Sequence, residues 1–74
     1  MAIRWSADRL DQLESAIRKG RRVALMRRGT EYVVVAVRLV ASGKKDELVG
    51  RLPMTGEELH FILDEVDRFE VIDP

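Results

Sequence analysis

The spacing of apolar residues changes character at Gly20. Before it, Leu10, Leu13 and Ile17 recur at i, i+3 and i+7 with Ala16 beside them, which draws one apolar stripe along a helix. Ser6 precedes the stripe as an N-cap, since its hydroxyl can accept from an orphan N–H of the first turn. Asp8 places negative charge near the positive end of the helix dipole. Trp5 and Leu10 have the spacing of a hydrophobic staple. Arg18 and Lys19 fall in the last turn and Gly20 follows as a stop. The pattern predicts a helix over residues 7–19.

After Gly20 the period becomes that of extended chain. Strands are predicted over residues 22–28, 31–41, 47–52, 58–63 and 68–72. Gly29-Thr30 suits a two-residue hairpin with glycine first, which sets Arg28 opposite Glu31 as an attractive cross-strand pair. The loop over 42–46 is polar. Pro53 ends the third strand, because proline cannot donate to a ladder. Leu59, Phe61 and Leu63 alternate on the fourth strand, with His60 on the opposite face. Residues 64–67 read as one tight helical turn, and Phe69 and Val71 share a face of the last strand.

The second strand is apolar on both faces: Val33, Val35, Val37 and Leu39 on one, Tyr32, Val34 and Ala36 on the other. A sheet with one wet face normally alternates cleanly, so something must cover the second face. The helix, the curvature of the sheet, or another subunit could do so. In the last case Tyr32, Val34 and Ala36 are the candidate contact with a homo-oligomer mate or a protein partner.

The connections are short and the strands consecutive, so one domain over residues 1–74 is expected, α+β and mostly β, built as a five-strand antiparallel meander with a leading helix. A leading helix, four meandering strands, a tight turn and a short last strand resemble an SH3-like small barrel, and with the helix in front the Sm-like variety. The resemblance lies in the order of elements over nearly the whole chain. It carries over no site residue, because the family motifs are absent: no Asp/Asn pattern near the second and third strands, no Lys-His pair in the late strands.

Length and composition narrow the function. Seventy-four residues, 46% of them hydrophobic and 35% charged, suffice for a core and rule out a disordered tail. There is no cysteine, hence no disulfide, thiolate metal site or cysteine nucleophile. A small domain without staples, signal peptide or apolar run long enough to span a bilayer is expected to be cytoplasmic and not membrane-bound. One histidine cannot make a zinc site, and no nucleophile–base pair or phosphate-cradling glycine loop is visible. The expectation is a non-enzymatic protein with no cofactor and no metal.

Charge supplies the remaining signal. The chain is neutral overall, yet residues 1–45 hold eleven Lys/Arg against four Asp/Glu (+7), and residues 46–74 hold two against nine (−7). The halves either form two poles or interleave and cancel. Arg18, Lys19, Arg21 and Arg22 lie within five residues at the helix–strand junction, Arg27 and Arg28 stand at the first hairpin, and Lys44 and Lys45 at the next loop. Clustered cations bind phosphates and release counterions. Arg18, Lys19, Arg21, Arg22, Arg27 and Arg28 are therefore the candidate nucleic-acid contacts, for RNA or DNA. Aromatics for base stacking are few: Trp5, Tyr32, Phe61 and Phe69. The competing expectation is a protein-interaction or oligomerisation module whose basic junction only complements the helix end.

Overall fold

A computed structural model describes residues 3–43 and 45–72; Lys44 of the second polar loop lies outside them. Helix α1 (Ala7–Lys19) has the expected bounds. The Ser6 Oγ accepts from the Arg9 N–H at 3.3 Å. At the other end Gly20 is left-handed, and the N–H groups of Gly20 and Arg21 return to the carbonyls of Ile17 and Ala16. The chain then forms β1 (Arg22–Arg27), β2 (Thr30–Ser42), β3 (Lys45–Arg51), β4 (Glu58–Ile62), a 3-10 turn (Leu63–Glu65) and β5 (Val66–Ile72). These make one antiparallel sheet in the order β4-β3-β2-β1-β5.

The architecture is thus α+β and mostly β, with a leading helix. The sheet is not closed: β4 and β5 are its two edges. The seam between them holds the 3-10 turn and the segment leading into α1. There the Ile3 N–H donates to the Val66 carbonyl at 2.9 Å, and the Trp5 indole N–H donates to the Leu63 carbonyl at 2.8 Å.

Two local expectations need correction. The hairpin loop is Arg28-Gly29, not Gly29-Thr30. Arg28 (φ 51°) and Gly29 (φ 80°) are both left-handed, as a type I′ turn requires. Arg27 therefore pairs with Thr30 and Met26 with Glu31, so Arg28 does not face Glu31. The tight turn also begins one residue earlier than expected. Val66 is already in β5 and fully buried.

The core lies between α1 and the inner face of the sheet. It is built from Leu13 and Ala16 of the helix, Val23 and Leu25 of β1, Val34 and Ala36 of β2, Leu48, Phe61, Leu63 and Val66. Trp5 and Leu10 both pack against it. Of the covers expected for the face of Tyr32, Val34 and Ala36, the helix and the sheet itself supply it. Val34 and Ala36 are 0% and 2% exposed, and the Tyr32 ring meets Phe61 edge-on at 5.2 Å. The reason is cross-strand company. Tyr32 and Val34 pair with Leu25 and Val23, whereas Val33 and Val35 on the other face pair with Ala24 and Arg22.

The inward face of β2 changes parity part-way. Ala36 pairs with Gly50 and Arg38 with Val49, leaving Val37 as an extra residue, a β-bulge. Beyond it Leu39 pairs with the buried Leu48 and packs on the core, so Val33, Val35, Val37 and Leu39 do not share one face. Gly50 of β3 leaves room for the side chains of Val34 and Phe61, which close over it from the strands on either side. A Cβ there would lie 2.5 Å from Val34 Cγ2 and 3.3 Å from Phe61 Cε2.

Candidate nucleic-acid interface

Strand β1 separates the six expected cations into two groups. It spans six residues, or about 16 Å between its ends, with Arg27 and Arg28 at one end and Arg18, Lys19, Arg21 and Arg22 at the other.

At the hairpin end the cations serve the fold. The Arg27 guanidinium carbon lies 5.1 Å from the Tyr32 ring centroid and 5.0 Å from that of Phe61. Its Nη1 donates to the His60 carbonyl at 3.2 Å and its Nη2 to the Tyr32 hydroxyl at 3.4 Å. Arg27 thus covers an aromatic pair, a contact attractive through the ring quadrupoles. Arg28 pairs with Glu65 at 3.3 Å. Arg27 is half-buried by these contacts, while the Arg28 side chain stays 77% exposed.

At the junction Arg18, Lys19 and Arg22 are exposed, whereas Arg21 is half-buried and already engaged within the chain. Among the described residues no ion pair engages Arg18, Lys19 or Arg22. The sheet brings two further arginines to them. Val35 pairs with Arg22 on one side and Arg51 on the other, so these two arginines flank it on the outer face, about 10 Å apart at the backbone. Arg38 lines a groove with Arg18, Ile17, Glu14 and Leu39. The result is a basic band of Arg18, Lys19, Arg22, Arg38 and Arg51. Two carboxylates temper it: Glu14 in the groove, and Glu58, which pairs with Arg38 at 3.6 Å and stands in register with Arg51. The C-terminal dipole of α1 adds partial negative charge beneath Arg18 and Lys19.

The two halves of the sequence therefore interleave in part, since Arg28–Glu65 and Arg38–Glu58 each join the basic half to the acidic one. Arg38 and Arg51 carried no local sequence signal. Each is a lone cation within a strand, and only the β2–β3 register, bulge included, brings them to the junction.

The outer face of the sheet is largely covered by its own charged side chains. Val49 is fully buried, set between Arg38 and His60 in register. The Arg38–Glu58 pair reaches across β3 beside it, and His60 Nδ1 lies 3.8 Å from Glu47 Oε1. Val35 lies between the stems of Arg22 and Arg51. Long charged side chains cover apolar surface with their methylenes while keeping their heads in water. Val33 stays the most open of these valines, at 38%. Among the described residues no group of three or more His, Asp or Glu is placed to hold a metal ion, and no helix is long and apolar enough to cross a membrane. Comparison with protein-family models, with curated proteins and with solved structures finds no match to this chain.

Proposed function

We propose that this chain is a non-enzymatic binding module that holds nucleic acid by its phosphate backbone along the band of Arg18, Lys19, Arg22, Arg38 and Arg51. The observation that carries the reading is the exposure of Arg18, Lys19 and Arg22 without carboxylate partners among the described residues, beside Arg51. Solvated cations at this spacing can displace the counterions of a polyanion. The strand order, the leading helix and the 3-10 turn before β5 also support reading the sheet as an SH3-like small barrel of the Sm-like variety, open at its β4–β5 seam.

A protein-interaction or oligomerisation module is less well supported. On the face of Tyr32, Val34 and Ala36, a second copy was one of the expected covers, and there Val34 and Ala36 lie in the chain's own core with Tyr32 packed against it. The sheet edges carry Glu58 and His60 on β4 and Asp67, Arg68 and Glu70 on β5, and charges of this kind oppose edge-to-edge pairing.

The test is fluorescence anisotropy with random-sequence oligonucleotides across a salt series. Four band cations each meeting a phosphate give a slope of about −3.6 in log K against log salt, or a loss on the order of 10²-fold between 50 and 200 mM. No binding at about 50 mM salt, together with a concentration-dependent sedimentation coefficient, would replace this reading with the oligomerisation module.

A further inference from the structure

We infer that the band favours duplex over single-stranded nucleic acid, an inference that rests on the reading above. Proteins that grip single strands lay successive bases on aromatic side chains, each stack being worth about 1–3 kcal/mol. All four aromatics of this chain are committed elsewhere. The Trp5 indole N–H is bonded to the Leu63 carbonyl, and its ring lies 5.2 Å from Phe69. Phe69 is half-buried beneath it. The Tyr32 ring packs against both the Arg27 guanidinium and Phe61, and Phe61 is fully buried. No aromatic residue lies on the band.

What the band presents is positive charge on aliphatic stems.

A site limited to charge gains most from the ligand of highest charge density. A duplex carries a phosphate every 1.7 Å of axis, against 3.4 Å per strand, and each phosphate neutralised on it releases more counterion, with a slope of about −0.9 against about −0.7 for a single strand.

The experiment compares a 16-base-pair duplex with each of its separated strands, in DNA and in RNA, at about 50 mM salt. The expected result is tighter binding of the duplex, by threefold or more. A single strand bound as tightly or more tightly would mean that arginine planes stack on its bases. That outcome overturns the duplex preference and leaves the backbone-binding function standing. Binding to none of the probes overturns the function itself, and the inference with it.

Discussion

The two ends of strand β1 look alike in sequence and differ in what their arginines do. Arg27-Arg28 and Arg21-Arg22 are both paired cations beside a glycine. At the hairpin, Arg27 meets two aromatic rings and a backbone carbonyl, and Arg28 meets Glu65. At the junction, Arg22 is exposed and stands in register with Val35. Partners brought by the fold thus decide whether a cation is structural or open to a ligand, and local clustering does not reveal them. Of the six cations expected to bind nucleic acid, the two at the hairpin and Arg21 have partners within the chain, and the strand register brings Arg38 and Arg51 beside the other three.

The largest effect is expected from removing the platform beneath the hairpin arginine. Phe61→Ala should cost on the order of 3–5 kcal/mol, comparable to the whole stability of a small domain. A urea melt with an unchanged midpoint would mean that Phe61 is not the buried floor of that end. Next in size is Gly50→Ala, whose register partner Ala36 lies one residue past the junction end of β1. The added Cβ would meet Val34 and Phe61, and overpacking of this kind costs about 1–3 kcal/mol. A variant as stable as the parent would show that β2 and β4 yield easily at this point.

The comparison itself is sharpened by a smaller effect, the same substitution made at each end. Arg27→Gln should lower stability by about 1–2 kcal/mol through loss of the ring contact and of a hydrogen bond. Arg22→Gln should stay within about 0.5 kcal/mol, as surface changes do. Equal costs in thermal melts would erase the distinction drawn between the ends.

The helix was legible because its signals are local. The Ser6 cap, the spacing of Leu10, Leu13 and Ile17, and the stop at Gly20 all fall within fifteen residues. The hairpin was legible only to within one residue, since Arg-Arg-Gly-Thr accommodates a turn with glycine first or second. Pairing of Val23 and Leu25 with Val34 and Tyr32 selects the second. The faces of β2 could not be told apart, because valine stands on both and the bulge at Val37 leaves no mark in composition. The same bulge fixes where Arg38 lies, and the ladder beside it sets Arg51 against Val35, so neither could join the candidate site before the register was known. Lys45 and Asp46 read as loop by polarity, yet they pair with Ser42 and Ala41 and extend the ladder.

The central claim is that the junction cations contact phosphate and the hairpin cations do not. The most direct measurement is the salt dependence of duplex binding for two variants: Arg22→Gln/Arg51→Gln at the junction, and Arg28→Asn at the hairpin, where asparagine suits the left-handed turn position. The junction variant should flatten the slope of log K against log salt by about 1.8, two phosphate contacts at about 0.9 each, while the hairpin variant keeps the parent slope. A junction variant with an unchanged slope, or a hairpin variant that loses as much, would contradict the account.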